Sequence, residues 1–120
     1  MNTASASALG QRLKKNYPQI DVRTGSNDPA DHDLVVNATP MGMNEGDALP
    51  MDVSRISPDA FVGEVVMKVE MTAFLQAAKN RGCRVQVGSD MLFEQIPAYL
   101  EYFGFATTTA DNLRKVSQLG

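Results

Sequence analysis

Short apolar runs alternate along this chain with stretches whose apolar residues recur every three or four positions. The first pattern is typical of buried strands and the second of amphipathic helices. The pattern predicts helices at 5–16, 72–82, 90–103 and 109–118, strands at 20–22, 34–37, 61–67 and 83–87, and a short helical turn at 52–56. Strands that alternate with helices predict an α/β fold with a mostly parallel sheet, because right-handed crossovers place each helix on a face of the sheet.

Individual residues mark the ends of the predicted helices. Thr72 can cap the helix that closes at Gly82, and Ser89 can cap the helix at 90–103. Pro97 removes one backbone donor from that second helix, which predicts a kink. We expect the helix to bury an inner stripe made of Leu92, Ile96, Tyr99, Leu100 and Phe103.

The composition is that of a globular protein with one domain over residues 1–120. Hydrophobic residues make up 43% of the chain and charged residues 21%, close to globular averages. The net charge of −3 argues against nucleic acid or an anionic membrane as the main partner. No apolar run approaches the length of a membrane span, and the first residues lack the pattern of a secretory signal. We therefore expect a cytoplasmic protein.

Two residue types that often carry chemistry occur only once. Cys83 cannot form an intrachain disulfide, and its place in an apolar strand pattern indicates inert packing. His32 lies beside Asp31 and Asp33 before a predicted strand, where we expect a solvated loop. A single histidine without further nitrogen or sulfur ligands does not make a metal site, so the sequence predicts no metal.

The most informative segment is Asn37-Ala38-Thr39-Pro40-Met41-Gly42-Met43, which begins as the strand at 34–37 ends. Open α/β sheets bind ligands outside the carboxyl ends of their strands. Asn37 and Thr39 offer short polar side chains there, and Gly42 permits a positive φ or close approach of a ligand. An ordinary turn after a strand uses the same residue types, so the pattern alone leaves both interpretations open.

The segment also resembles a signature of the shikimate dehydrogenase family, Asn-Ala-Thr-x-x-Gly-Met. A second block, Gly88-Ser89-Asp90-Met91-Leu92-Phe93-Glu94-Gln95, resembles the family's Gly-x-x-Met-Leu-x-x-Gln. Between them, Thr72-Ala73-Phe74-Leu75 resembles a Thr-Pro-Leu/Phe-Leu helix start, and Arg81-Gly82-Cys83 resembles the turn that ends that helix. The resemblance covers residues 3–105, and it is to the C-terminal, nicotinamide-dinucleotide half of such an enzyme.

The resemblance implies NADP as the cofactor and the reduction of 3-dehydroshikimate to shikimate, a step of aromatic amino acid biosynthesis. It implies that Gln95 contacts the substrate; Gln95 lies one helical turn beyond Met91, so both can face one cleft. We expect Asp90 and Glu94 to be charges at a helix start and Lys68 to be solvated, and we name no catalytic residue. The cofactor-binding residues that the resemblance implies are Asn37, Ala38, Thr39, Met41, Gly42, Met43, Met67, Gly88 and Met91.

Several positions depart from the family pattern. Met67 stands where many members carry a Tyr near the nicotinamide, and a Met cannot donate a hydrogen bond. Val69 and Ala73 stand where prolines are common. The segment Met67-Lys68-Val69-Glu70 resembles a Met-Lys-x-Glu variant of a shikimate-dehydrogenase-like subgroup. The true substrate, and the choice between NADP and NAD, are therefore left open.

The family's catalytic Lys and Asp lie in a separate substrate domain, and its dinucleotide domain opens with a strand and a Gly-rich loop. No Gly-x-Gly-x-x-Gly occurs in this chain. We therefore expect a truncated, Rossmann-like three-layer fold of about four strands that lacks the first two strands of the dinucleotide domain. Cofactor binding is expected to be weak or absent, and the isolated chain is expected to be inactive.

Two functions stay open for the chain. The first is the cofactor-binding portion of a shikimate-dehydrogenase-like oxidoreductase, completed by a separate substrate domain. The second is a non-catalytic α/β interaction module. The strand at 34–37 would have an open apolar edge, so either the segment at 20–22 pairs with it or two chains pair across a two-fold axis; we expect a homodimer. A response-regulator-like module needs acidic strand ends, whereas these are Asn37 and Met67.

Overall fold

The structure is a computed structural model that describes residues 3–117, and strands alternate with helices as the sequence predicts. The helices are α1 (Thr3–Asn16), α2 (Ala73–Asn80), α3 (Gly88–Tyr102) and α4 (Ala110–Ser117), the strands are β1 (Leu34–Asn37), β2 (Phe61–Glu64) and β3 (Arg84–Gln86), and one 3₁₀ turn spans Val53–Arg55. All four predicted helices and the predicted turn are confirmed. Residue 118, the predicted end of the last helix, lies outside the described residues.

Three parallel strands form one sheet in the order β1-β2-β3. Val62 lies in register with Val35 on one side and with Val85 on the other. The predicted strand at 20–22 is wrong: Val22 lies against Gly10 of α1 and does not pair with β1. The predicted α/β fold with a parallel sheet is confirmed, with one strand fewer than the sequence predicts.

The core lies between one face of the sheet and α2. Phe74, Leu75 and Ala78 of α2 are fully buried there, and complete burial of a large apolar side chain contributes about 1.5–3 kcal/mol. The Thr72 hydroxyl accepts a hydrogen bond from the Leu75 backbone N–H at 3.2 Å, which confirms the predicted cap. The remaining core residues come from the strands, the 3₁₀ turn and the flanking loops: Val35, Val53, Ile56, Ala60, Val62 and Cys83.

Helix α3 differs from its prediction in two ways. It begins at Gly88, is preceded by Val87 and has no side-chain cap, so the predicted cap at Ser89 is wrong. The predicted buried stripe is also wrong, since Leu92, Tyr99 and Phe103 are 39%, 54% and 68% exposed. Helix α4 packs on α3 but leaves these residues open, and the rest of the described chain does not cover them. Within residues 3–117, no helix has both the length and the apolar character needed to cross a membrane.

Candidate functional site

Asn37 ends β1 and fixes the shape of the loop that follows. Its side chain is buried; the amide nitrogen donates to the Met41 carbonyl oxygen at 3.1 Å. The amide oxygen accepts from the Thr39 backbone N–H at 3.1 Å and from the Thr39 hydroxyl at 2.7 Å. Because both the nitrogen and the oxygen of this amide are hydrogen-bonded to the loop, the buried Asn37 side chain holds the loop in its shape. A direct contact between Asn37 and the cofactor stays a prediction.

The surface of this loop is formed by the predicted residues that follow Asn37. Ala38, Thr39 and Met41 are exposed, so a ligand at this end of the sheet would reach them first. Gly42 is buried and has a φ of 79°, the left-handed region that glycine adopts without strain. Gly42 and the half-buried Met43 border a small cleft of about 230 Å³ against the start of α2.

A second cleft, of about 350 Å³, lies between the end of β2 and the start of α3. Met67 is 55% exposed there. Gly88 packs so closely on Val66 that a Cβ on Gly88 would overlap the Val66 carbonyl group. Two of the predicted site residues, Met67 and Gly88, are thereby brought to one place. The residues that line the cleft are Met67, Glu70, Val87, Ser89, Asp90, Phe93, Arg114 and Ser117.

Arg114 of α4 closes one side of this second cleft, and the motifs gave no signal for it. Its guanidinium donates to Glu94 at 2.9 Å, to Asp90 at 3.1 Å and to Asp111 at 3.3 Å. It also lies 5.6 Å from the centre of the Phe93 ring. The hydrogen bond to Glu94, followed by that to Asp90, raises the pKa of Arg114. Asp90 and Glu94 therefore help to anchor α4 on α3.

Met91 and Gln95 lie on the other side of α3. Both line a groove of about 430 Å³ between α3 and the face of the sheet that α2 leaves open. The Gln95 side-chain oxygen accepts a hydrogen bond from the Tyr99 hydroxyl at 3.2 Å. Met91 and Gln95 thus share one groove, apart from the cleft that contains Met67. Their roles with cofactor and substrate stay predictions.

Glu64 is a buried acid that the motif comparison does not single out. It is 5% exposed and stands in register with Asn37 at the ends of β1 and β2. Among the described residues, neither carboxylate oxygen has a hydrogen-bond partner. An acid inside the apolar run at 61–67 is the sequence signal that could have identified it.

Two further predictions concern ionisable and metal-binding groups. Lys68 is exposed and donates to the Asn44 side-chain oxygen at 2.6 Å, in keeping with a solvated side chain. Over residues 3–117, no group of three His, Cys, Asp or Glu residues is placed to hold a metal ion.

These features define a class of protein. The loop after β1, the end of β2 and the start of α3 all lie at the carboxyl edge of a parallel sheet. Doubly wound α/β folds bind nucleotides and other ligands at this edge. The fold is therefore that of a Rossmann-like α/β protein, and the predicted site lies where such folds bind their ligands.

Comparison with known proteins narrows the class. No family model matches the chain. The chain is 34% identical over 88 residues to the shikimate dehydrogenase (NADP(+)) of Jannaschia sp. (strain CCS1), a match that covers 72% of this chain and 32% of that protein. The solved quinate dehydrogenase from Corynebacterium glutamicum in complex with NAD superposes with a TM-score of 0.80 at 29% identity, over 99% of this chain and 44% of that one.

A second solved structure has the same fold. The shikimate 5-dehydrogenase from Thermus thermophilus in complex with NADP(H) and shikimate superposes with a TM-score of 0.71 at 25% identity, over 89% of this chain and 39% of that one. The predicted resemblance to shikimate and quinate dehydrogenases, and the Rossmann-like fold, are confirmed. The chain spans 32% of the length of the curated relative and less than half of each solved chain.

Proposed function

We propose that this chain is the NADP(H)-binding portion of a shikimate- or quinate-dehydrogenase-like oxidoreductase that reduces 3-dehydroshikimate or a related compound. One observation carries the proposal: the loop held by Asn37, the exposed Met67 and the start of α3 at Gly88 all lie at the carboxyl edge of the sheet. The relatives at this level of similarity are NADP- or NAD-dependent dehydrogenases.

The described residues fit the flat rings of the cofactor better than they fit its phosphates. Ala38, Met41 and Met67 form exposed, uncharged surfaces at the strand ends, and thioether and methyl groups pack well against flat rings. The phosphates need backbone donors or cations, but the sequence has no Gly-rich loop. The nearest guanidinium in the described cleft, Arg114, is occupied by three carboxylates.

In the proposed reaction, bound NADPH supplies the hydride, while the protein orients the cofactor and excludes water. Arg114 ties up Asp90 and Glu94, and Lys68 is exposed. We therefore propose that the described residues bind cofactor weakly and do not turn over substrate by themselves. We also propose a cytoplasmic location, since the sole cysteine is a buried, free thiol.

Calorimetric titration of the chain with NADP⁺ and NADPH tests the proposal. The informative variant is Ala38→Glu, because Ala38 is exposed and a longer, charged side chain there would displace the ring proposed to pack on this surface without disturbing the core. We expect saturable binding that Ala38→Glu weakens by about tenfold, or about 1.4 kcal/mol, and that the matched control Ala38→Ser retains. The proposed function would be overturned if the wild type showed no saturable binding, or if the wild type and both variants bound the cofactor equally well.

A second candidate function is a non-catalytic module that forms a homodimer. The observation in its favour is β1, which has no neighbouring strand on its outer edge among residues 3–117. Edge strands of two chains can pair across a two-fold axis into one continuous sheet. Sedimentation velocity at high protein concentration tests this proposal: a dimer supports it and a persistent monomer contradicts it.

A further inference from the structure

The methionines of this chain are unevenly exposed. Six of its seven methionines lie within residues 3–117, and three of these six are exposed: Met41 by 43%, Met67 by 55% and Met71 by 38%. All three lie in the loops that follow β1 and β2, at the carboxyl edge of the sheet. The thioether groups that a reagent in water reaches most easily are therefore concentrated at the edge where the cofactor is proposed to bind.

The other three described methionines are half-buried, namely Met43, Met51 and Met91. Met51 packs against the hydrophobic core, and Met91 lines the groove beside α3. The rate at which a thioether is oxidised follows its exposure. The structure therefore predicts that Met67 is oxidised fastest and that Met51 is among the slowest.

The surroundings of Met41 and Met67 allow their side chains to be modified without disturbing the fold. The Met41 backbone N–H donates to the Thr39 hydroxyl at 3.2 Å, and the Met41 carbonyl oxygen accepts from the Asn37 amide at 3.1 Å. The loop thus holds the Met41 backbone while its side chain is exposed. Met67 shares its cleft of about 350 Å³ with Ser89, whose hydroxyl group can donate to a polar oxygen placed there.

Hydrogen peroxide is the oxidant for the modification. The sulfur of an exposed thioether forms a bond to one peroxide oxygen, the O–O bond breaks, and the second oxygen takes both hydrogens and leaves as water. The sulfur is oxidised by two electrons to a sulfoxide, and the peroxide is reduced by two. An apolar, flexible side chain is thereby replaced by one that carries a polar S=O group.

We propose that Met41 and Met67 are reversible oxidation sites, and that a sulfoxide at these positions weakens cofactor binding. The proposal rests on the proposed function, which packs a flat ring on the surface formed by Ala38, Met41 and Met67. A sulfoxide oxygen on this surface loses its hydrogen bonds to water when a ring covers it, and the face of the ring does not replace them. Methionine sulfoxide reductases restore the thioether, so the affinity is restored with it.

Peptide mapping by mass spectrometry tests where the chain is oxidised. The full 120-residue chain is treated with a limiting amount of hydrogen peroxide, and the sulfoxide at each methionine is quantified over time. We expect Met41 and Met67 to be oxidised at least about fivefold faster than Met51. Equal rates at Met51 and Met67 would overturn the proposal.

Calorimetric titration with NADPH tests the effect on binding. We expect the oxidised chain to bind about tenfold more weakly than the untreated chain, and treatment with both methionine sulfoxide reductases to restore the affinity. Dithiothreitol alone is the control for the buried Cys83 thiol, because it reduces a disulfide or a sulfenic acid but leaves a sulfoxide intact. Full recovery with dithiothreitol alone would assign the effect to Cys83 and overturn the proposal.

Variants identify the methionines responsible, and each variant is compared with its own untreated sample. In the double variant Met41→Leu/Met67→Leu, peroxide should change the affinity by less than about twofold. Met71→Leu is the matched control, because Met71 is also exposed but lies outside the surface on which the ring is proposed to pack. The Met71→Leu chain should show the same loss as the wild type. An equal loss in the double variant and the wild type would overturn the proposal.

The same titration separates this proposal from the proposed function. Absence of saturable binding by the untreated wild type would overturn the proposed function, and the control of binding by oxidation with it. Saturable binding that oxidation of Met41 and Met67 leaves unchanged would overturn the oxidation proposal alone.

Discussion

Gly88 lies directly on the backbone of Val66, so that a Cβ on Gly88 would overlap the Val66 carbonyl oxygen and lie 2.7 Å from its carbonyl carbon. Helix α3 therefore starts in contact with the chain that leaves β2. This contact sets the width of the cleft between Met67 and Ser89. Glycine at this position serves helix–strand packing, whether or not a ligand approaches it.

We predict that Gly88→Ala destabilises the fold. The added methyl group has to displace the Val66 backbone or the start of α3, and overpacking of this kind costs about 1–3 kcal/mol. Gly63→Ala is the matched control, because its Cβ would meet only an ordinary contact at 4.0 Å. Urea unfolding of both variants measures the difference. Equal stability of the two variants would mean that α3 is not fixed against β2.

We predict that Asn37→Ala lowers the free energy of unfolding by about 2–3 kcal/mol, since it removes the three hydrogen bonds by which this buried side chain holds the loop. The loop should also become sensitive to proteolysis. Asn44→Ala, in the exposed part of the same loop, is the control and should change stability by less than about 0.5 kcal/mol. An unchanged protease pattern in Asn37→Ala would contradict the supporting role of Asn37.

Local signals in the sequence predicted the parts of the fold that local chemistry determines. The cap at Thr72 and the turn at Gly82, whose φ is 98°, follow from the properties of single residues. The sequence predicts the site loop because Asn37 comes directly after an apolar run and Gly42 follows in the same turn-rich segment. These features need no knowledge of which elements are neighbours in space.

The wrong predictions depend on tertiary contacts. The stripe at Leu92, Tyr99 and Phe103 has helical spacing, but only a covering element makes such a stripe buried. The segment at 20–22 has strand propensity but lies against α1, and β-propensity is decided by context. Arg114 was missed because its partners Asp90 and Glu94 are 24 and 20 residues away, a separation that leaves no periodic signal.

We predict that Glu64→Met stabilises the protein. A buried carboxylate without hydrogen-bond partners costs free energy, and a methionine of similar length fills the same space without polar atoms. The expected gain is about 1–3 kcal/mol in the free energy of unfolding at neutral pH. Glu101→Met, on the exposed side of α3, should have little effect. A loss of stability in Glu64→Met would reveal a partner for the Glu64 carboxylate.

The ion pair between Asp28 and Arg55 makes the stability of the fold depend on pH in the acid range. Both guanidinium-to-carboxylate distances are 2.8 Å, and this pairing, with the Ala30 backbone N–H, lowers the pKa of Asp28 from 3.8 to about 2. The folded-state pKa lies below the unfolded one. The stabilisation is therefore complete above about pH 3.8 and is lost as the pH falls towards about 2.

Two measurements check this prediction. The Asp28 carboxyl carbon, followed by NMR, should titrate near pH 2 in the wild type and closer to its ordinary value in Arg55→Ala. The urea midpoint should fall less steeply with acid in Asp28→Asn than in the wild type, while the exposed control Asp59→Asn keeps the wild-type slope. An ordinary pKa for Asp28 in the wild type would rule out the bidentate pair in solution.

The central claim is that NADP(H) binds at the carboxyl edge of the sheet. The most direct measurement is an NMR titration of the isotope-labelled chain with NADP⁺, read amide by amide. We predict saturable shifts in the segments 38–43 and 88–91 and at Met67. Shifts confined to the other polar cleft, of about 320 Å³ around Arg23, His32 and Arg55, or no saturable shift at millimolar cofactor, would contradict the claim.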